Sequence, residues 1–377
     1  MVKPYPTDSL CVKCHKFVPE LLEKSKKTSE ADKNIPKEFK PQKKKPSDKD
    51  GVRTKDKSYK FSLEDEKIFL KGKEEYVIFC GITSKERTPL FYTKEHLKYL
   101  LELTNNLDYI ATGILRGDLD KMLLVREDGN KIIEEKCQFY EKDNIIYIVY
   151  GLFPDKKGKW ILEQMAREYE SLILKFSIKN VNELTPLEKS NIDRGFKPAL
   201  KSILDSMELK EVLTDKDISY VEDWIRVDYL GVSSMSIGVV SLLLDDQGAL
   251  NLDLPVKYDD PNEDLEMKES QLTAKIEAIA ANTPGNTGAY PRWIAVRLKY
   301  QQYRFITFKK YPNDYFLSLL SEGNLKKIPK AEDKLNPLIY HVIDTPFEGN
   351  LKPFNQLKAT LKDMFNHDAE LEHRKFY

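Results

Sequence analysis

An α+β fold is what the sequence predicts: two antiparallel-sheet units of five strands each, with flanking helices, preceded by a disordered basic N-terminal arm. Three observations predict it. Strand-like runs are joined by short turns, which cannot make the long crossovers that parallel strands need. An order of two strands, a helix and three strands is legible in the second half, and a similar order occurs earlier in the chain. With 377 residues and 41% apolar side chains, the chain is long and apolar enough for two cores. The resulting divisions are an arm at 1–60, a first unit at 61–211 and a second at 212–377.

The arm carries 14 Lys/Arg against 7 Asp/Glu between Leu21 and Lys60, with Pro36, Pro41 and Pro46 and few apolar residues. Such a segment buries too little surface to offset the entropy of ordering it. Lys43-Lys-Lys45 is a candidate for anion contact, beside its plainer reading as solvated linker. Ahead of it stands Cys11-Val-Lys-Cys14-His15. Three readings of this motif stay open. It is an exposed pair without a ligand, or half of a zinc site with His15 as a third ligand where four are wanted. Or it is a c-type haem attachment, with thiols on the vinyl groups and His as axial ligand. The haem reading requires export, and Met1 to Asp8 lacks the apolar run of a secretory signal. Cys80 and Cys137 fall in expected strands, poorly placed to complete a zinc site. Four cysteines in a chain this long make no disulfide framework, so a reducing cytoplasm is the expected compartment.

In the first unit, Tyr76-Val-Ile-Phe-Cys-Gly-Ile82 has the β-branched and aromatic composition of a buried strand. Pro89 to Tyr92 is a short second strand. Lys94 to Asn106 sets Leu97, Leu100, Leu101 and Leu103 on one helix face, with Thr93 as a start signal and Asn105-Asn106 as a stop. Asp108 to Asp118 either extends that helix or connects irregularly. Lys121 to Arg126 and Lys131 to Tyr140 flank Glu127-Asp-Gly-Asn130, a hairpin signal because glycine accepts the positive φ of tight turns. Ile145 to Phe153 is the most hydrophobic run and is expected to be central. Lys159 to Phe176 is a helix with Trp160, Ile161, Met165, Tyr169, Leu172 and Phe176 on one side, and Pro186 opens another to about Met207.

In the second unit, Val212 to Tyr220 is a polar junction and Tyr220 to Leu230 is expected to be a helix. Ile237 to Leu244 and Ala249 to Leu254 form a hairpin about Asp245-Asp-Gln-Gly248, where the paired carboxylates serve turn chemistry. Pro255 to Glu269 is an acidic loop. Glu269 to Ala281 is a helix ended by the breaker-rich Thr283-Pro-Gly-Asn-Thr-Gly288. Three strands follow, at Trp293 to Tyr300, Tyr303 to Lys309 and Tyr315 to Leu320. The first alternates, with Trp293, Ala295, Arg297 and Lys299 on one face. Pro337 to Ile343 and Phe354 to Phe365 are closing helices, and His367 to Tyr377 is a charged end.

The run Gly238-Val-Val-Ser-Leu-Leu-Leu-Asp-Asp-Gln-Gly-Ala-Leu250 resembles the opening hairpin of the roadblock (dynein light chain type) family. Trp293 to Gly323 is similar to its later meander, and the helix expected at Tyr220 to Leu230 stands where its first helix stands. This likeness covers about residues 215–370. The first unit, about 70–210, looks like a longin domain, the sibling fold whose helices are circularly shifted. The acidic loop at 255–268 and the arm with its cysteine pair depart from both families. The resemblance implies platforms that dimerise, or pair with one another, by extending sheets or packing helices. It also implies binding of Ras-like small GTPases as activators, exchange factors or adaptors, with longin units serving in vesicle traffic. The expectation is therefore a non-catalytic scaffold or regulator of a small GTPase, or a partner of another longin or roadblock protein, forming a homo- or heterodimer and meeting membranes only indirectly.

Catalytic fingerprints are missing from the sequence. It has no G-x-x-x-x-G-K-[ST], no G-x-G-x-x-G, no G-x-S-x-G and no H-E-x-x-H, and its five histidines are scattered at 15, 96, 341, 367 and 373. No enzyme, cofactor or resident metal is expected, although His367 and His373 with Asp368, Glu370 and Glu372 form a loose cluster beside their reading as a solvated end. The 61 basic residues balance 61 acidic ones, which gives no global argument for nucleic acid or membrane. Two alternatives remain. One is a small-molecule sensor of PAS or GAF type, which needs an apolar chamber between sheet and helix. The other is a nucleic-acid binder using the arm, or stacking bases on Trp293, Tyr300, Tyr303, Phe305 and Phe308 with help from Arg297 and Arg304.

Overall fold

The computed structural model describes residues 62–71, 74–209, 220–234, 237–244, 250–252, 260–299, 301–366 and 374–377. The arm with Cys11, Cys14, His15 and Lys43 to Lys45, the junction up to 219, the turn at 245–248, Tyr300, His367 and His373 lie outside them.

The first half runs β1 (Ile68–Lys71), β2 (Glu75–Ser84), β3 (Pro89–Tyr92), α1 (Tyr99–Tyr109), β4 (Asp118–Asp128), β5 (Lys131–Lys142), β6 (Ile145–Leu152), α2 (Asp155–Lys175) and α3 (Pro186–Asp205). The second runs β7 (Ile225–Ser234), β8 (Ile237–Leu243), α4 (Pro261–Thr287), β9 (Tyr290–Arg297), β10 (Tyr303–Lys310), β11 (Tyr315–Gly323), α5 (Ile328–Tyr340), α6 (Lys352–Asn366) and β12 (Lys375–Phe376).

Sequence predicts two five-stranded sheets; the described residues instead form one antiparallel sheet of twelve strands. Its order is β1-β2-β6-β5-β4-β9-β10-β11-β7-β12, with β3 beside β2 and β8 beside β7. The seam is β4 against β9, where Met122 faces Ile294 and Leu119 faces Val296. Apart, these two strands would each leave a row of unpaired N–H and C=O groups beside apolar side chains. Pairing them removes both edges at once.

Numbered from β2 in the first half and β7 in the second, both halves have the strand order second, first, fifth, fourth, third. Each has one helix between its second and third strands and two helices after its fifth. The helix expected at Tyr220 to Leu230 is therefore absent. That stretch enters strand β7, whose Ile225, Val227 and Tyr229 are all fully buried. The hairpin moves with it: β8 is its second strand, and Leu250 to Leu252 are not in a strand.

Helix boundaries also differ. Helix α1 passes through the expected stop, because Asn105 turns inward and its Nδ2 donates to Thr83 Oγ1 at 3.0 Å. It then widens into a π turn at Ile110–Ile114. Helix α4 begins at Pro261, inside the expected loop, with Asp260 accepting from the Asn262 N–H. It continues through Thr283 to Thr287, where Thr283 and Thr287 hydroxyls donate to the carbonyls one turn back, and closes at Gly288 with φ +68°. Helix α5 begins at Ile328 rather than near Pro337, which it carries internally. The Asp-Gly hairpin forms as expected, with Gly129 at φ +59° between β4 and β5.

Three apolar cores hold these elements. On one face α1 and α4 cover a core that crosses the seam, joining Phe79, Leu101 and Met122 to Ile276, Ile294 and Ile306. On the other face, α2 and α3 pack on Ile82 and Val149, while α5 and α6 pack on Val227 and Leu317. Each fully buried Leu, Ile or Phe here contributes roughly 1.5–3 kcal/mol. The expected apolar side of α2 is the one that packs: Ile161, Met165 and Tyr169 are buried.

Candidate interaction site

The two faces of the sheet differ at the seam. On the face carrying α2, α3, α5 and α6 a groove of about 990 Å³ lies between the helix layers. Its floor is a cross-strand row in which Lys136 faces Leu123, Leu123 faces Trp293 and Trp293 faces Thr307. Its walls include Phe153 and Pro154 before α2 and Ile328 and Pro329 opening α5.

Most of the charges around this groove are held by one another. Asp155, in the first turn of α2, bonds Lys121 and Lys136. Burial works to raise the Asp155 pKa, but the two lysines outweigh it and hold the carboxyl below its usual range. Lys157 bonds Glu75, Arg292 bonds Glu134 at 2.6 Å and Lys309 bonds Glu332 at 2.7 Å. A ligand bound here would have to break such pairs, and the nearly buried ammonium groups of Lys121 and Lys157 would then lose their counter-ions.

Of the five aromatic residues singled out in sequence, Trp293, Tyr303 and Phe305 do meet, joined by Tyr220. Ring centroids are 6.4 Å apart for Trp293 and Phe305, 5.9 Å for Tyr303 and Phe305, and 6.2 Å for Tyr220 and Tyr303. Phe308 faces the opposite core. Arg304 does so too: it is buried, bonding Glu322 and donating to the Leu115 carbonyl at 2.6 Å. Phe305 is only 1% exposed, so its ring is packing rather than platform.

On the opposite face α1 and α4, the matching helices of the two halves, flank a groove of about 1150 Å³. Leu103, Ile110 and Ile279 form its apolar base, and Ala274 and Ala278 keep α4 low along it. Tyr109 stands on its rim, 52% exposed, with Lys275 Nζ 5.1 Å from the ring centroid. Among the described residues, the side chains of Glu102, Asn106, Gln271 and Asn282 in this groove have no hydrogen-bond or ion-pair partner. Polar groups that already face water and hold no internal partner can be recruited by a binding protein at little cost. This surface is built equally from both halves and its chemistry is uncommitted.

The cysteines expected in strands are there. Cys80 and Cys137 are buried, and burial pushes both thiols up, Cys80 to about 12, so neither is a ready thiolate. His96 and His341 are exposed. Among the described residues no group of three or more His, Cys, Asp or Glu is placed to hold a metal, and no helix is long and apolar enough to cross a membrane.

Tyr109, Lys275 and the α1–α4 groove escaped the sequence reading. Helical periodicity could have marked them, since Tyr109, Glu102 and Asn106 share the polar side of α1. Glu277, described below, escaped as well. Its signal is a polar stripe at Glu269, Thr273 and Glu277 running beside the apolar Leu272, Ile276 and Ile279.

No family model matches the chain, and no curated protein matches it.

Proposed function

We propose that the protein is a non-catalytic interaction platform that presents the α1–α4 surface to a Ras-like small GTPase. The observation that carries this reading is the duplication. Both halves have one strand order and one helix placement, and they meet edge to edge so that α1 and α4 lie side by side across the seam. That order is the one read as longin-like in the first unit. The roadblock likeness of the second half keeps its meander from Trp293 to Gly323 but loses one of its three supports, the helix at Tyr220 to Leu230. In this reading the pairing that such platforms otherwise make between two chains is made within one.

The partner class rests on the family resemblance, and the choice of surface rests on the chemistry above. A folded partner needs about 800 Å² on each side for a stable contact, which two exposed helices and their rims can supply. The test is capture of a panel of Ras-like GTPases, each loaded with GDP or a GTP analogue, together with nucleotide-release rates. Capture that depends on nucleotide state, or a change in release, is expected. No capture and no change across the panel overturns the reading.

A further inference from the structure

Helix α4 turns a polar stripe toward β8, and its rungs stand one turn apart. Glu269 is fully engaged: Oε1 accepts from the Leu243 N–H at 2.9 Å and Oε2 from Lys358 Nζ at 2.6 Å. Thr273 is too, with Oγ1 2.7 Å from Tyr229 Oη and 2.6 Å from Ser241 Oγ. Glu277 is the exception. It is 8% exposed, and its Oε1 has no hydrogen-bond partner. Burial raises its pKa to about 7, with the Gly238 N–H pulling the other way. A buried carboxylate with one oxygen left unsatisfied is costly, and such groups call for an explanation.

Glu277 lines a cavity of about 250 Å³ whose other walls include Ala280, Ala281, Pro284, Tyr290 and Phe316. The Tyr290 and Phe316 rings stack with centroids 6.5 Å apart. Lys310 Nζ lies 4.8 Å from the Tyr290 centroid, so this ring already attracts one ammonium group. Asp314 adds a second acidic group to the lining. On the far side of Glu277, toward β8 and α6, the charged groups are Glu266 and the Glu269–Lys358 pair. Space is tight at the β8 wall: a Cβ on Gly238 would come within 2.8 Å of Glu277 Oε1.

We propose that this cavity binds a primary alkylammonium group, with Glu277 as its counter-ion and Tyr290 and Phe316 as its apolar wall. An ammonium group brings three N–H donors and one positive charge, which match the buried carboxyl that Glu277 contributes to the cavity lining. The cavity is smaller than the roughly 300–1,000 Å³ of sites for drug-sized ligands, so it suits a short methylene chain that places one cationic head inside it. A phosphate-bearing ligand is disfavoured by the carboxylate. The ammonium can come from a free diamine or from a lysine side chain of a peptide, and the test separates these.

The experiment is calorimetric titration of the full chain with cadaverine and with Nα-acetyl-lysine methylamide, using 1-pentanol as the neutral control. Saturable binding by at least one amine, with Kd of order ~1 mM, and none by the alcohol, is expected. Cadaverine alone identifies a free amine as the ligand; binding of both admits a lysine side chain. Affinity should rise about tenfold per pH unit as Glu277 ionises toward pH ~7 and level off above it. Glu277→Gln should weaken binding at least tenfold while keeping its circular dichroism spectrum. Ala281→Leu, which narrows the cavity and leaves Glu277 in place, should weaken it as well. No saturable binding by either amine, equal binding by Glu277→Gln or equal binding by the alcohol overturns the proposal. So does binding that appears only in Lys310→Ala, because Lys310 then fills the site itself.

Discussion

Arg126 Nη2 lies 3.1 Å from the carbonyl oxygen of Thr287, so a guanidinium on the seam strand β4 caps the last turn of α4 in the other half. The same group reaches Glu135 Oε2 and Tyr150 Oη, both at 3.1 Å. Glu135 is fully buried, and its other oxygen accepts from Tyr76 Oη at 2.8 Å. Burial, reinforced by that carboxylate, raises both tyrosine pKa values, so each hydroxyl keeps its proton and donates. One buried negative charge thus has three donors and a tie across the seam.

Removing the cation should be severe. Arg126→Ala leaves Glu135 buried without its counter-ion and frees the Thr287 carbonyl, and breaking a buried pair in this way costs about 3–5 kcal/mol. Urea denaturation should show a lower midpoint at unchanged slope. Glu135→Gln added to Arg126→Ala should recover part of the loss, because the stranded charge is gone. A double variant no more stable than Arg126→Ala would mean that the charge is not what the arginine stabilises.

The continuous sheet predicts that the two halves unfold together. Trp160 reports on α2 in the first half and Trp293 on β9 in the second. Two single-tryptophan proteins, each retaining one of these, should give coincident urea transitions. Transitions separated by more than the error would show that the β4–β9 seam opens before the cores on either side of it melt.

Much of this architecture could be read from residue patterns, and the failures have physical causes. Ile145 to Leu152 and the Asp-Gly hairpin were legible because local composition and turn geometry decide them. Tyr220 to Leu230 was misread as a helix, although Ile225, Val227 and Tyr229 alternate with Arg226 and Asp228 as a strand does. The long α4 was cut short because Pro284 and Gly285 oppose helix locally. Its last turn survives through threonine back-bonds and the burial of Thr287 and Ala289. The seam itself had no local signature. Whether β4 finds β9 depends on Met122 and Leu119 meeting Ile294 and Val296 across 170 or so residues, and only the folded chain expresses that pairing.

The Glu277 carboxyl makes stability depend on pH in an unusual direction. Its folded pKa is raised to about 7 by burial, whereas the unfolded value is the ordinary 4.5. Between these values the folded state holds the proton more tightly, so its contribution is fully present below pH ~4.5 and is lost as pH rises to ~7. The loss should be about 1–2 kcal/mol once solvent screening is allowed for. Glu277→Gln should flatten this slope and be the more stable protein at pH 8. Parallel stability curves for the two proteins from pH 4.5 to 8 would place the titrating group elsewhere.

The proposed docking surface makes the last prediction. Tyr109 is exposed and its ring meets the Lys275 ammonium across the groove, so its removal should leave the fold within about 0.5 kcal/mol of wild type. At an interface, an exposed tyrosine at the edge of an apolar groove is a strong anchor, often contributing about 2 kcal/mol or more. Tyr109→Ala combined with Lys275→Glu should therefore reduce GTPase capture at least tenfold with no change in thermal midpoint. Arg292→Ala, at the groove on the opposite face, should leave capture unchanged, because only its exposed pair with Glu134 is lost. If the Arg292 variant loses capture and the Tyr109 variant keeps it, the partner docks over Trp293 instead, and the assignment of the two faces is reversed.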